Sequence, residues 1–350
     1  MIDFTSSLYL GMKHASAGLS DWSQLTTGVP SALFESIASQ KIAGKIAGLQ
    51  GLEKGILAPS TLHLYWDLFV LLSGKNIAVF IDENAYPVSR YGIERLVVAK
   101  IPIYSFNHLD ANHLSELVKK NLLRRQVPVV ITDGWCTLCG RPAPIKYYLE
   151  IINPLLGNII IDDTQAFGIL GEGGRESSYG TNGGGILRWF NINDQNIVNI
   201  TSLSKAFGVP VASISGSATF IEAFTNSSQT RIYSSPVSVA NINAAFNALS
   251  VNETSGDRLR NTLWSNVSFL RDEFNAMGIN LTGSIFPVQG IGTWSSHRVI
   301  DIVEKLKAQG INTASIVGHV DRSVFLTIII RSDTTIEEMR TLVNFIQKIF

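Results

Sequence analysis

The feature that most constrains the fold is the alternation of short apolar runs with segments of helical spacing. Residues 77–81 form one such run, with the length and the Ile and Val content of a buried strand. Further strand-like runs are residues 102–104, 127–132, 158–161, 197–201 and 212–215. Helix-like segments such as residues 112–123 lie between them. This order predicts an α/β domain with a mostly parallel sheet between layers of helices.

Polar side chains follow several of these predicted strands. Asp82, Asp133 and Asp162 each come at or directly after the end of a run, and Lys205 follows another. Active sites in parallel sheets lie at the carboxyl ends of the strands, so we expect these groups to lie at one edge. Ser60 and Thr61 open a separate helical segment after Pro59, where free N–H groups suit an anion or an ordinary helix cap.

The chain divides into three predicted segments. Residues 1–30 are mixed and polar and are predicted to form an N-terminal arm, and residues 31–238 form the large α/β domain. Residues 239–350 are predicted to form a smaller α+β domain with strands near 285–289 and 323–330. The last helix has one apolar face, formed by Ile336, Met339, Leu342, Val343 and Ile346.

Composition narrows the range of partners. The 350 residues include 28 basic and 28 acidic side chains, so the zero formal charge favours neither nucleic acid nor an anionic membrane. The first residues lack the pattern of a secretory signal, and no apolar run has the length of a membrane span, which predicts a cytoplasmic protein.

The glycine-rich residues 168–185 lack a dinucleotide fingerprint and are predicted to form a long, mobile loop.

The stretch of residues 201–208 places Lys205 between short hydroxyl side chains and a glycine, directly after a predicted strand. An amine in such a position suits covalent binding of an aldehyde such as pyridoxal phosphate. Asp162 could then hold the pyridine nitrogen in its protonated form. An exposed loop lysine and an exposed loop aspartate are the alternatives, since most such residues lie at the surface.

Cys136 and Cys139 are the only two cysteines, in a Trp-Cys-x-x-Cys string. That string is similar to the redox pair of thioredoxin-like proteins, so a thiol redox protein is an alternative function. The two prolines at 142 and 144 delay any helix after the pair, which disfavours it. A zinc site needs two further ligands, and the sequence shows no second Cys pair and no close pair of histidines, so no metal is predicted.

Residues 160–171 and 201–208 resemble the α-oxoamine synthase family, which belongs to the fold type I enzymes that depend on pyridoxal 5'-phosphate. Members of this family include 8-amino-7-oxononanoate synthase, 2-amino-3-ketobutyrate CoA ligase and serine palmitoyltransferase. Residues 8–11, 130–144 and 233–236 are similar to further strings of the family, so the resemblance covers most of the chain. It implies a large domain with a mostly parallel sheet, a smaller C-terminal α+β domain, and a homodimer with shared active sites.

The resemblance also implies roles for individual residues. Lys205 would form the Schiff base with the cofactor, and Asp162 would bind the pyridine nitrogen. Tyr86 would stack on the ring where the family has a histidine, and Thr137 would lie near O3′ where the family has a serine. The remaining implied contacts to the cofactor are Ser60, Thr61, Ser202, Ser204 and, from the neighbouring subunit, Ser235.

The departures from the family fall on positions expected to face the substrate. Gln165 replaces a histidine in the family's Asp-Glu-Ala-His string, and an amide cannot titrate. Residues 325–327 replace an Arg-x-Arg motif whose second arginine binds the substrate carboxylate. Arg331, four residues beyond Thr327 on a predicted strand, is the candidate replacement, with an exposed strand-end arginine as the alternative.

The resemblance implies that an amino acid condenses with an acyl-CoA as in 8-amino-7-oxononanoate synthase, with Lys205, Asp162 and Gln165 at the reacting centre. Aminotransfer is the alternative within pyridoxal phosphate enzymes, because the altered positions concern substrate recognition. A relative that binds the cofactor without catalysis is a further alternative.

Overall fold

The computed structural model describes residues 1–174, 178–292, 295–317 and 323–349, and its elements alternate as the sequence predicts. In chain order the strands are β1 (Ile2–Asp3), β2 (Lys54–Ala58), β3 (Ile77–Asp82), β4 (Ile103–Phe106), β5 (Val127–Asp133), β6 (Trp135–Cys136), β7 (Arg141–Pro142), β8 (Asn158–Asp162), β9 (Ile197–Ser202), β10 (Ala212–Gly216), β11 (Val288–Ile291), β12 (Ile311–Asn312), β13 (Ala314–Val317) and β14 (Val324–Ile329). The α-helices are α1 (Ile37–Gln50), α2 (Thr61–Ser73), α3 (Pro87–Val98), α4 (Ala111–Asn121), α5 (Ile145–Ile152), α6 (Ile186–Trp189), α7 (Ala218–Ser227), α8 (Thr230–Tyr233), α9 (Val239–Ala276), α10 (Ser296–Ala308) and α11 (Ile336–Ile349).

The central sheet has seven strands in the order β2-β10-β9-β8-β5-β3-β4. β10 runs antiparallel to β2 and β9, and the other neighbours are parallel. Along β3, Ala78 and Phe80 belong to one buried cluster, whereas Val79 and Ile81 belong to the cluster on the opposite face. This alternation means that helices cover both faces, which confirms the predicted fold class.

The smaller C-terminal unit is built on the antiparallel sheet β11-β14-β13. Helix α9, with 38 residues, leads into it, and Met339 and Leu342 of α11 are fully buried in its core. The predicted strand near 285–289 is displaced: β11 begins at Val288, because the backbone before it forms turns.

The first residues of the predicted N-terminal arm pack on this smaller unit. β1 pairs in parallel with β12, and the N–H of Ile329 donates a hydrogen bond of 2.8 Å to the carbonyl of Phe4. Phe4, Tyr9 and Leu10 are fully buried. The segment therefore contributes to the core, while the boundaries near residues 30 and 238 stay predictions.

The helical spacing of the sequence begins near Ser31, which predicts an earlier start for the first helix than the structure has. Helix α1 begins at Ile37, because Ser36 caps it by accepting a hydrogen bond of 3.1 Å from the N–H of Ser39. The glycine-rich segment is a hydrogen-bonded structure in its described part, with an antiparallel bridge between Glu172 and Thr181. Arg260, fully buried, donates a hydrogen bond of 3.0 Å to the carbonyl of Gly168, which fixes the segment on α9.

Among the helices in the described ranges, none combines the length and the apolar character needed to cross a membrane.

Candidate active site

The carboxyl ends of adjacent parallel strands bring the predicted acidic groups together. Asp133 at the end of β5 is the register partner of Asp162 at the end of β8. Asp82 ends β3 on the other side of β5, and Ser202 ends β9 beside β8. The expectation that these side chains share one edge of the sheet is thereby confirmed.

Lys205 lies in the turn that follows β9. This turn is closed by hydrogen bonds of 2.8 Å from the N–H of Leu203 to the carbonyl of Val211 and of 3.0 Å from the N–H of Val209 to the carbonyl of Leu203. Phe207 is fully buried against Phe167, with ring centroids 5.1 Å apart. Lys205 is therefore carried by an anchored turn and not by an exposed loop.

Charge and burial act in opposite directions on the Lys205 amine. Burial lowers its pKa, and the nearby carboxylates of Asp162 and Asp133 oppose this effect in part. An amine with a lowered pKa is neutral more often at neutral pH, which is the form that attacks an aldehyde.

Asp162 is held in a fixed orientation. Its Oδ1 accepts a hydrogen bond of 3.1 Å from the N–H of Thr164, and its Oδ2 accepts one of 3.3 Å from the hydroxyl of Tyr65. Burial raises the pKa of Asp162, while the hydrogen bonds from Thr164 and the charge of Lys205 act to lower it. Burial disfavours the charged form of this carboxylate, so a cationic partner would stabilise that form. No local sequence pattern points to Tyr65, which lies on α2.

The two serines beside Lys205 are linked to the Asp162 turn. The N–H of Ser202 donates a hydrogen bond of 3.0 Å to Oγ1 of Thr164, and the hydroxyls of Ser202 and Ser204 are 2.8 Å apart. The hydroxyl of Ser202 also accepts a hydrogen bond of 3.2 Å from the N–H of Ser204. These bonds join the turns after β8 and β9 into one unit.

The N-terminus of α2 lies next to these two turns, because β2 leads into α2 and ends at the same edge of the sheet. The register pairs Ala58 with Ala212, and Ala212 with Ser202, so β2 ends at the same edge as β9. Ser60 is the residue before α2, and its hydroxyl contacts Nδ1 of His63 at 2.9 Å without capping a backbone N–H. The helix start therefore keeps N–H donors and a positive dipole end for an anion. The sequence did not predict β2, whose apolar run is only three residues long and which pairs with β10.

Tyr86 is the residue before α3 and is 47% exposed. Its backbone N–H donates a hydrogen bond of 3.1 Å to Oδ1 of Asp133. Burial and the charges of Asp162 and Asp133 raise the pKa of the Tyr86 hydroxyl. This position suits the predicted stacking on a cofactor ring, which stays a prediction.

Gln165 has a partner from the N-terminal segment. The hydroxyl of Tyr9 donates a hydrogen bond of 2.7 Å to Oε1 of Gln165. Tyr9 is buried against the edge of Phe286, whose ring stacks on Trp135 at 4.9 Å. Burial raises the pKa of the Tyr9 hydroxyl, which keeps it a hydrogen-bond donor.

Arg331 does not lie on the predicted strand. β14 ends at Ile329, so the expectation that Arg331 shares a strand face with Thr327 is wrong. Its Nε donates a hydrogen bond of 2.8 Å to Asp333, and its guanidinium donates one of 3.1 Å to the carbonyl of Asp3. These partners occupy the side chain, so its predicted role as a substrate clamp requires that they separate.

Thr137 and Ser235 lie on the two remaining segments. Thr137 is in the turn between β6 and β7, and Ser235 is exposed shortly after α8. Asp67 of α2 fixes α8 by accepting hydrogen bonds from the N–H groups of Gln229 at 2.9 Å and Thr230 at 3.0 Å. The contacts predicted for Thr137 and Ser235 stay predictions, and the anchoring role of Asp67 was not evident from the sequence.

The two thiols have a third neighbour that the sequence analysis missed. Nε2 of His108, which follows β4, lies 3.4 Å from Sγ of Cys139. The fold therefore brings a third potential metal ligand to the two thiols from 31 residues away.

The site fits pyridoxal phosphate at each of its reactive groups. Lys205 offers an amine for the aldehyde, the start of α2 offers N–H groups for the phosphate, and Asp162 offers a buried carboxylate for a protonated pyridine nitrogen. The raised pKa of Asp162 supports this fit, because a carboxylate with that pKa gains most from a positive partner.

Comparisons with known proteins agree with this geometry. A sequence profile of the family described as aminotransferase class I and II matches residues 68–346. The 8-amino-7-oxononanoate synthase of Petrotoga mobilis is 25% identical over 279 residues, which are 79% of this chain and 68% of that protein.

Solved structures show the same fold. A structure of serine palmitoyltransferase with its pyridoxal phosphate internal aldimine has a TM-score of 0.86 and 16% identity, covering 99% of this chain and 86% of the other. The 8-amino-7-oxononanoate synthase of Francisella tularensis has a TM-score of 0.77 and 19% identity, covering 99% and 97%.

Proposed function

The chain belongs to the aminotransferase class I and II family of pyridoxal phosphate-dependent enzymes, and we propose that it condenses an amino acid with an acyl-CoA thioester. The observation that carries this proposal is that Asp162 ends β8 and Lys205 follows the adjacent strand β9, at one edge of the sheet and next to the start of α2. Relatives named 8-amino-7-oxononanoate synthase and serine palmitoyltransferase support the acyl-transfer chemistry.

The bound cofactor supplies an electron sink for a carbanion at the α-carbon of the amino acid. Lys205 Nζ would hold the cofactor covalently. Once the substrate amine has displaced it, Nζ would accept the proton that leaves the α-carbon of the substrate. Its lowered pKa favours the neutral amine that both tasks need.

Asp162 would hold the proton on the pyridine nitrogen. Tyr65 and Thr164 orient the carboxylate through their hydrogen bonds, so it need not reorganise as charge develops. The start of α2, with Ser60 and Thr61, would bind the phosphate, and Ser202 and Ser204 would hold the lysine turn. Tyr86 would cover the ring with its exposed aromatic face.

Substrate recognition would differ from that of the family in its acid–base character. Gln165 binds the Tyr9 hydroxyl and cannot exchange a proton, so it would orient the substrate by hydrogen bonding alone. Aminotransfer is the second candidate, and the observation that favours it is this replacement of a titratable side chain beside intact cofactor anchors.

A homodimer with shared active sites is part of the proposal. Ser235 is exposed and would reach the phosphate of the partner subunit. Exposed apolar side chains occur on α2, on α3 and around the start of α1, and they support an interface with a partner subunit. These exposed side chains are Leu33, Phe34, Ile37, Leu62, Trp66 and Tyr91.

The test is to incubate the purified enzyme with single amino acids, with and without acyl-CoA. Release of free CoA that requires both substrates is the expected result. A keto acid formed without any thioester would replace this proposal with aminotransfer, and absence of both products with a bound cofactor would indicate a non-catalytic relative. Lys205→Ala is the inactive control, and Lys41→Ala, at an exposed position of α1, should keep full activity.

A further inference from the structure

A group of potential metal ligands lies beside β3 and β5, apart from the lysine turn. Nε2 of His108 and the Sγ atoms of Cys136 and Cys139 all lie within 4.8 Å of one another. The three residues are partly buried. An imidazole and two thiols form a ligand set typical of zinc and chemically similar cations.

The β6–β7 hairpin fixes the positions of the two thiols. Its turn is closed by a hydrogen bond of 2.9 Å from the N–H of Gly140 to the carbonyl of Cys136. Gly140 has a φ of +66°, and a Cβ at this position would lie 2.3 Å from the backbone of Gly283. The turn therefore requires glycine, and it directs the N–H of Cys139 to Sγ of Cys136 at 3.4 Å.

A carboxylate orients the imidazole from its other side. Nδ1 of His108 lies 2.8 Å from Oδ1 of Asp82, which places a proton on Nδ1 and leaves Nε2 as the ring atom that faces the thiols. Asp82 is itself fixed, because it accepts hydrogen bonds of 3.0 Å from the N–H of Leu109 and 2.8 Å from the N–H of Asn84. A metal-binding histidine usually has such a carboxylate behind it.

The distance between His108 and Cys139 matches that between two ligands of a tetrahedral ion. Bond lengths of about 2.3 Å to sulfur and about 2.0 Å to nitrogen place neighbouring ligands of tetrahedral zinc about 3.5 Å apart. The observed distance from His108 Nε2 to Cys139 Sγ is 3.4 Å.

We propose that His108, Cys136 and Cys139 bind one thiophilic divalent cation of the zinc class, with Asp82 as the residue that orients His108. Two thiolates and a neutral imidazole balance the charge of such an ion. Within the described ranges no fourth His, Cys, Asp or Glu joins the group, which leaves one coordination position for water. Thr137 lies between the two cysteines, so the ion would tie the Thr137 turn to the loop after β4.

The test measures metal in the full-length protein purified under reducing conditions. After removal of loose metal by gel filtration, elemental analysis is expected to find about one zinc per chain, as for a site with three protein ligands. Replacement of zinc by Co²⁺ should give the absorption of a thiolate-bound cobalt ion. Cys136→Ser, Cys139→Ser and His108→Gln should each lower zinc affinity at least tenfold, and Asp82→Asn should lower it by about tenfold or more.

The controls separate metal binding from folding and from oxidation. His297→Gln changes an exposed histidine on α10 and should leave the metal content unchanged. Circular dichroism should show that the variants keep their secondary structure. Thiol titration and intact mass, measured on the metal-free protein, detect a Cys136–Cys139 disulfide.

Two results would overturn the proposal. One is a protein with free thiols that retains no zinc and shows no thiolate-bound cobalt absorption. The other is a protein whose two cysteines stay joined as a disulfide when it is handled with reductant. Metal binding is measured without the enzyme reaction, so its failure would leave the proposed function intact.

Discussion

The hydroxyl of Tyr9 donates a hydrogen bond of 2.7 Å to Oε1 of Gln165, across 156 residues of the chain. Tyr9 comes from the segment that packs on the smaller unit, whereas Gln165 follows β8 at the edge of the large sheet. The bond therefore joins the two parts of the molecule at the position where a titratable side chain is replaced by an amide.

The first prediction concerns the dependence of the reaction on pH. Because Gln165 cannot titrate, we expect Gln165→His to add an ionisation near pH 6.5 to the profile of kcat/KM, at about the ordinary pKa of histidine. The measurement is kcat/KM between about pH 5 and 9 for both proteins. Gln195→His, at an exposed position, is the control and should leave the profile unchanged. Identical profiles for Gln165→His and the wild type would show that this side chain is remote from the chemistry.

The second prediction compares two adjacent carboxylates. Asp162→Asn removes the charge proposed to hold the pyridine proton, so the rate should fall by about 100-fold or more. Asp163 instead accepts a hydrogen bond of 3.1 Å from the N–H of Ile186, away from Lys205. Asp163→Asn should therefore keep the rate within a few-fold. Equal losses for the two variants, measured with saturating cofactor, would mean that Asp162 has no special role.

The third prediction concerns stability. Burial raises the pKa of Asp163 from 3.8 to about 8. Its stabilising contribution is therefore complete below about pH 4, where the unfolded chain is also protonated, and is lost as pH rises through about 8. Between about pH 4 and 8, the wild type should lose up to about 1.4 kcal/mol of unfolding free energy per pH unit relative to Asp163→Asn. Denaturant unfolding at several pH values measures the difference, and a constant difference would contradict the raised pKa.

The fourth prediction concerns the support of the Ser235 segment. Asp67 is buried and accepts hydrogen bonds from the backbone and hydroxyl groups of residues 228–230. Asp67→Asn replaces one acceptor by a donor and should cost about 1–3 kcal/mol, seen as a lower Tm. Asp110→Asn is the matched control, because Asp110 caps α4 through one N–H and Asn caps a helix equally well. Similar Tm values for both variants would show that the contacts of Asp67 are unimportant.

The sequence predicted the parts of the fold and site that depend on local pattern. The runs that became β3, β5, β8 and β9 are apolar enough to be recognised, and Asp162 and Lys205 follow two of them. β2 could not be recognised in this way, because its five residues form a strand only through pairing with β10.

Contacts between distant residues explain what the sequence did not show. Tyr65 reaches Asp162 from 97 positions away, and His108 reaches Cys139 from 31 positions away. Neither pair has a spacing that a local pattern can reveal. Arg331 shows the converse error: β14 ends two residues before it, so the strand periodicity on which its predicted direction depended does not reach it.

Reduction of the purified enzyme with borohydride, followed by peptide mass spectrometry, tests the role of Lys205 directly. We expect a yellow protein whose absorption band disappears on reduction, with the pyridoxyl group fixed on the peptide that contains Lys205. Lys205→Ala should lack the band, while Lys41→Ala should keep it. A pyridoxyl group on another lysine, or an unchanged band in Lys205→Ala, would show that Lys205 is not the residue that binds the cofactor covalently.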